Sequence, residues 1–280
     1  MSQIVQVTSP YYALASFVGW SGFVKARGEA EEMAKERGLT VADMPMLIQA
    51  MTAHPELREA IRPFSIDAIT GEYHGRRRGA RSYEAWHSAG SLATAEVLRN
   101  LFYAATQDSA FGPVHYSEWF DMGNGSYNGQ NVARVHLADA KKGDVPAPGT
   151  PYTIFVRVDK DRPDINDTGE LGYDAFMRDD RVLMITGSPE SRAALAKMLF
   201  GKKEDGGEGL TSVGSYHRIY EHGFDKEAKG LLVRLWYGNE GLSASNILGT
   251  DGRFVVVAGA GGAVRDQQVS GALESRVLTE

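Results

Sequence analysis

Tyr73-His-Gly-Arg-Arg-Arg-Gly-Ala-Arg-Ser-Tyr-Glu-Ala-Trp86 concentrates positive charge and aromatic rings as no other stretch of the chain does. Four arginines, Arg76, Arg77, Arg78 and Arg81, fall within six positions, with Gly75 just before them and Gly79 among them. Glycine opens backbone conformations closed to other residues, and arginine is a permanent, planar, five-donor cation. The stretch therefore reads as a polar loop able to wrap an anion, with Tyr73, His74, Tyr83 and Trp86 beside it as rings that can stack. The competing reading is a solvated loop whose arginines pair with acidic residues elsewhere, Glu72 and Glu84 being the nearest.

Before this loop the text is helical. Lys25 to Arg37 carries a solvated face of Glu29, Glu31, Glu32, Lys35 and Glu36 with charge pairs near the i, i+4 spacing, and Gly38 stands where a helix stops. Thr40-Val-Ala-Asp43 resembles a capping box, so a helix is expected from there with Met44, Leu47, Ile48 and Met51 inward until His54-Pro55 breaks it. Tyr11 to Val24 fits either a buried helix or strands broken at Gly19 and Gly22. Beyond the loop, Ser91 to Thr106 has a broad apolar stripe and reads as the best helix of the chain.

Near Gly112-Pro113 the composition changes, and alternation replaces helical spacing. Strands are expected at Val114–Phe120, Val132–Leu137, Tyr152–Val158, Arg181–Thr186, Ser212–Glu221, Leu231–Tyr237 and Phe254–Ala258. Ser188 to Phe200 is a helix with Ser188 as N-cap, Pro189 at N1 and Gly201 as the stop, so residues 181–201 form a strand–turn–helix. The expected fold is α+β: a helical N-terminal half followed by a mainly antiparallel sheet with at least one packed helix. Residues 1–111 form the helical part and 112–280 the β-rich core, within one body.

Composition bounds the chemistry. With 280 residues, 42% hydrophobic and 24% charged, the chain has the make-up of an ordinary globular protein. It has no cysteine, which removes disulfides, thiolate metal sites and thiol nucleophiles. No apolar run approaches the roughly 20 residues that cross a bilayer, so a cytoplasmic protein without membrane contact is expected. The net charge of −6 argues against coating a duplex by bulk positive charge, but a local basic groove with aromatic platforms suits single strands on an acidic chain.

The function expected from these residues is thus non-enzymatic binding of single-stranded nucleic acid, DNA or RNA. The contacts would come from Arg76, Arg77, Arg78 and Arg81 with Tyr83 and Trp86, and from Tyr216, Arg218 and Tyr220, which share one face of a strand by their i, i+2 spacing. One alternative is a structural or assembly subunit of a larger, phage-like complex, with protein partners or self-association. Another is a metal-dependent hydrolase or transferase using the acidic stretch 159–167, with Asp159, Asp161 and Asp164 as weak candidate ligands against a hydrated acidic turn. No cofactor is expected: the seven histidines show no metal-binding spacing, the turn at Gly187 lacks the P-loop pattern, and no strand is followed by a dinucleotide-binding glycine motif.

Overall fold

The computed structural model describes residues 12–17, 19–61, 65–77, 80–87, 126–127, 130–147, 150–158, 168–201, 209–217, 229–236, 241–244 and 252–257. The chain opens with β1 (Tyr12–Phe17), α1 (Gly19–Arg37), β2 (Thr40–Val41), α2 (Met44–Ala53), α3 (Pro55–Ile61), β3 (Ser65–Arg77) and β4 (Ala80–His87). After β5 (Ser126–Tyr127) and β6 (Gln130–Asn131) come β7 (Ala133–His136), α4 (Leu137–Ala140), β8 (Tyr152–Arg157) and β9 (Thr168–Leu171). Then follow α5 (Tyr173–Arg178), α6 (Asp180–Thr186), α7 (Pro189–Phe200), β10 (Val213–His217), β11 (Lys229–Trp236), β12 (Gly241–Ala244) and β13 (Gly252–Val257). The fold is α+β, with mixed and predominantly antiparallel strand pairing.

The arginine-rich stretch is a hairpin and not a loop. Its two strands pair antiparallel from Gly71↔Trp86 to Arg77↔Ala80, which sets Arg76 opposite Arg81. The main sheet runs β7-β8-β4-β3-β11-β12-β10-β9, so this hairpin lies within it, flanked by β8 and β11. Central strands are covered on both faces and lose the alternation that marks a half-exposed strand. Ser82 to His87 are all buried accordingly, Glu84 included.

β3 is also the place where a second branch of the sheet joins. Between Leu232↔Gly71 and Arg234↔Asp67 the register shifts, so that Ala68, Ile69 and Thr70 stand where β11 supplies Val233 alone. Such a bulge frees backbone groups and re-aims side chains. Here both are used: the Ile69 amide donates to the Ala42 carbonyl at 3.0 Å, and the Ala42 amide donates to the Val255 carbonyl of β13 at 2.8 Å. β13 in turn pairs with β1 and β2 and meets β3 at Ile66.

Because β13 takes the backbone of Thr40 and Val41, the helix start expected at Thr40 moves to Asp43, whose carboxylate accepts the Met46 amide at 2.9 Å. α2 then runs to Ala53 and buries Met44, Met46, Leu47, Ile48 and Met51 as the spacing predicts. α1 ends at Gly38 with φ of +64°, the left-handed conformation expected of a C′ glycine. The Tyr11–Val24 stretch divides into β1 and the beginning of α1. The helix read at Ser91–Thr106 and the strand read at Val114–Phe120 lie outside the described residues.

Arg181–Thr186, expected as a strand, is the helix α6. Asp179 caps it by accepting the Val182 amide at 2.9 Å, and each of its residues is buried. An apolar run buried on all sides carries no period, so length and spacing could not separate strand from helix. The following helix agrees with its reading: Ser188 Oγ accepts the Ser191 amide at 3.1 Å, Pro189 stands at N1, and Leu195 and Leu199 are buried against α2, α6 and the sheet.

One imidazole joins these layers. His87 Nε2 lies 2.7 Å from the Met184 carbonyl, which can only accept, so Nε2 carries the hydrogen and Nδ1 is the acceptor. Thr70 Oγ1, at 3.3 Å from Nδ1, donates to it and itself accepts the Met44 amide at 2.8 Å. The ring stacks on Tyr152 of β8 with centroids 4.7 Å apart. Burial holds the imidazole below its usual pKa, against the opposing field of Asp43 and the Met184 hydrogen bond.

Beside it, Gly187 links α6 to α7 at φ of +83°. A Cβ there would run into the Tyr152 hydroxyl and come within 2.6 Å of Pro45 Cγ. Left-handed backbone costs about 1–2 kcal/mol for other residues and overpacking adds about 1–3 kcal/mol, so we expect Gly187→Ala to lose about 2–4 kcal/mol of stability. Urea unfolding checks this; a loss below about 1 kcal/mol would mean the α6–α7 joint is loosely packed.

Candidate functional site

Of the residues expected to hold a nucleic acid, the two rings of β4 are buried. Tyr83 is 0% and Trp86 3% exposed, so neither ring is open to a base. Tyr83 lies in the apolar cluster with Ile154, Val156, Leu183 and Met184, and the Arg181 guanidinium sits 5.6 Å from its ring centroid. Burial and the neighbouring Glu72 push its phenol well above the usual pKa, while Arg181 opposes them. Arg76 and Arg77 belong to β3 and the half-buried Arg81 to β4, a paired hairpin in place of a wrapping loop. Tyr216 is in β10; Arg78, Arg218 and Tyr220 fall outside the described residues, as do Asp159, Asp161 and Asp164. Among the described residues no group of three or more His, Cys, Asp or Glu is placed to hold a metal ion.

Glu84 shows what the charges of the hairpin do. Its wholly buried carboxylate meets Arg134 of β7, with Nη2 to Oε1 at 3.1 Å and Nη1 to Oε2 at 3.4 Å. Arg134 in turn lies over the Phe155 ring of β8, 4.4 Å from its centroid. The two-point contact and the aromatic face compensate a charge that burial would otherwise penalise. This is a structural pair across β4, β8 and β7, not an anion receptor.

Among the described residues an open concave surface lies between α5, α7 and the returning segment 209–211. Gly172 precedes α5, and the next residue, Tyr173, is 52% exposed. Phe176, one turn on, is buried and fixes the helix to the core. Phe200 at the end of α7 makes edge-on contacts with both rings, at 5.7 Å to Tyr173 and 5.5 Å to Phe176. Such T-shaped pairs are favoured by the ring quadrupoles and hold Tyr173 over the gap.

The floor comes from the helical spacing of α7. Ala193, Ala196, Lys197 and Phe200 recur three or four apart and share a face, and the two alanines leave space where larger residues would fill it. The Leu210 amide donates to the Leu199 carbonyl at 2.9 Å and brings Leu210 and Thr211 to the far wall. The cleft so formed measures about 580 Å³, within the roughly 300–1,000 Å³ of ordinary ligand sites. It offers two aromatic rings, the Lys197 ammonium and the Thr211 hydroxyl, a set suited to a flat apolar group beside an acidic one. Reading α7 for its buried stripe alone passes over this opposite face, and no motif marks Tyr173.

Trp86 provides a check on the burial of the hairpin. As a core residue its truncation should cost about 3–5 kcal/mol of stability, by the lost transfer and the cavity left behind. We expect Trp86→Ala to lower the urea midpoint by that measure; an unchanged midpoint would return the ring to the surface.

No protein-family model matches the chain, and no curated protein does. A solved structure described as "Accommodation of massive sequence variation in Nanoarchaeota by the C-type lectin fold" is similar at a TM-score of 0.54 with 15% sequence identity, over 91% of this chain and 98% of that one. At this identity the likeness is one of fold. It points away from the single-stranded nucleic acid reading, as the buried Tyr83 and Trp86 do. Among the described residues no helix is long and apolar enough to cross a membrane.

Proposed function

We propose that the chain is a recognition module built on a scaffold like the C-type lectin fold, which binds a peptide segment of a partner protein in the cleft below Tyr173. The observation that carries this reading is the half-exposed Tyr173 ring held over an open cleft by Phe200. A ring at the mouth of a cleft with a few polar groups beside it is the make-up of many ligand and peptide sites. Lys197 at the rim selects for a carboxylate, so the segment brings an aromatic side chain next to an acidic group.

The similar fold supports a division between scaffold and contact residues, since that structure is described as accommodating massive sequence variation. In this chain His87, Glu84, Tyr83 and Trp86 serve the interior, and Tyr173, Lys197 and Thr211 face outward.

N-acetylphenylalanine carries a ring and a carboxylate as such a segment would, and serves as the probe. We expect NMR shift changes at Tyr173, Lys197 and Thr211 on titration, and binding about tenfold weaker for Tyr173→Ala, since a ring contact is worth about 0.5–1.5 kcal/mol beyond its area. The melting temperature of that variant should stay close to the parent value because the side chain is exposed. Shift changes elsewhere, or an affinity indifferent to Tyr173, would remove the cleft from the function.

A further inference from the structure

We propose that the partner segment which fills the Tyr173 cleft is an extended strand that adds itself to the outer edge of β9, so that main-chain pairing holds the segment and the cleft reads its last side chain. The inference rests on the reading of that cleft as the binding site, and it names the conformation and the charge pattern of what binds there.

Among the described residues β9 closes one end of the main sheet: it pairs with β10, from Leu171↔Val213 to Thr168↔Tyr216, and no strand follows it in the order. In an antiparallel pair alternate residues turn N–H and C=O away from the neighbour, so half of this four-residue strand presents them outward. Gly169 is exposed, and because it has no side chain the exposure is that of its main chain. A Cβ at Gly169 would meet no atom within 4 Å, and one at Gly172 would meet only the Thr211 carbonyl, at 3.9 Å. An open edge of this kind takes a further strand, since an extended chain repeats donors and acceptors at the same spacing.

The edge runs into the cleft. β9 ends at Leu171, Gly172 follows, and Tyr173 opens α5, while Thr211 of the cleft wall stands two residues before β10. A strand laid along β9 and continued past Leu171 therefore arrives at the exposed Tyr173 ring. Leu171 packs against the apolar cluster that holds Leu195 and Ala196 of α7, so alternation puts Glu170 on the opposite face of the sheet. A residue of the added strand beside Glu170 and another three positions on, beside Tyr173, then point to opposite faces, the second toward α7.

Charge sets the pattern and the direction. Ser212 Oγ donates to Glu170 Oε2 at 2.9 Å, and the exposed carboxylate keeps a second oxygen for a cation on the neighbouring strand. Lys197 calls for a carboxylate at the other end. The occupant so described has a basic residue, then three positions later an aromatic one that carries the terminal carboxylate, and it runs parallel to β9. A second copy of this chain is the poorer occupant, because two-fold pairing of β9 with itself sets both Glu170 carboxylates on one face of the joint, close to each other.

N-acetylphenylalanine is the end residue of such a strand, and acetyl-Thr-Lys-Thr-Thr-Phe with a free carboxylate is the strand itself. On NMR titration of the full chain, the pentapeptide should move Tyr173 and Lys197 as N-acetylphenylalanine does, and slow hydrogen exchange at outward amides among Gly169, Glu170 and Leu171. It should bind about tenfold tighter, the order of magnitude that a pair of main-chain hydrogen bonds supplies. Pentapeptides N-methylated at alternate amides separate pairing from proximity, since successive amides of a strand point to opposite edges. Methylation of one alternate set should return the affinity to that of N-acetylphenylalanine, and methylation of the other should keep the gain.

Equal loss or equal retention in the two methylated peptides, or a pentapeptide no tighter than N-acetylphenylalanine, overturns the strand pairing while N-acetylphenylalanine bound at Tyr173 keeps the cleft reading. Failure of N-acetylphenylalanine and the pentapeptide alike strikes the cleft reading and this inference with it. Exchange at β9 that slows as protein concentration rises, without any peptide, would give the edge to a second copy and overturn the proposal.

Discussion

The 2.7 Å hydrogen bond from His87 Nε2 to the Met184 carbonyl ties the last residue of a central strand to a buried helix, in a place where water does not reach. A buried polar atom without a partner is costly, so the position of each neighbour is constrained by this ring. The Thr70 bulge must present its hydroxyl, α2 must begin with its Met44 amide directed at that hydroxyl, and the chain after α6 must turn tightly at Gly187 to clear Tyr152. Sheet, α2 and α6 are thereby held in one arrangement, and the start of α7 with them.

The same rule governs the charges around the β3–β4 hairpin. Glu72, Glu84 and Arg181 are buried, as is the Tyr83 ring between them and the apolar cluster. Glu84 is answered by Arg134, which is steadied by the Phe155 face. α1 contains a comparable case: Arg27 is 1% exposed, pairs with Glu31 at 3.3 Å and lies 5.8 Å from the Phe254 ring centroid. Desolvation brings its pKa down to about 10, with Glu31 opposing the shift. Charged residues in this protein are therefore interior fastenings in several places where an acidic, soluble-looking sequence would have them at the surface. Pairs of this kind add little net stability, but they tolerate few alternative arrangements.

The separation between interior chemistry and outward display reorganises the functional reading. Arginine with aromatic residues is a signature of nucleic acid contact only if the rings are open. In the hairpin Tyr83 is closed off by β8, α6 and α4, and Trp86 is buried as well. Among the described residues a cleft is open whose parts are ordinary in the sequence: an exposed tyrosine, two alanines, a lysine and a helix-ending phenylalanine.

Local rules alone determined much of the secondary structure. The stop at Gly38, the break at His54-Pro55, the inward methionines of α2 and the Ser188-Pro189 start of α7 are short-range matters of capping, dihedral angle and spacing, and each appears as read. The strands at Tyr152–Arg157, Val213–His217, Lys229–Trp236 and Gly252–Val257 declare themselves by β-propensity, within a few residues at their ends. Tertiary structure decided the rest. Whether Tyr73–Trp86 is a loop or a hairpin depends on β8 and β11, strands that lie far along the chain, and burial on both faces erases the alternation that would have announced it. Whether Arg181–Thr186 is strand or helix depends on the Asp179 cap and on being enclosed on every side, which leaves an apolar run with no period to read. The cleft, made by three segments that meet only in the folded chain, has no sequence signal because its chemistry is one of distance and exposure.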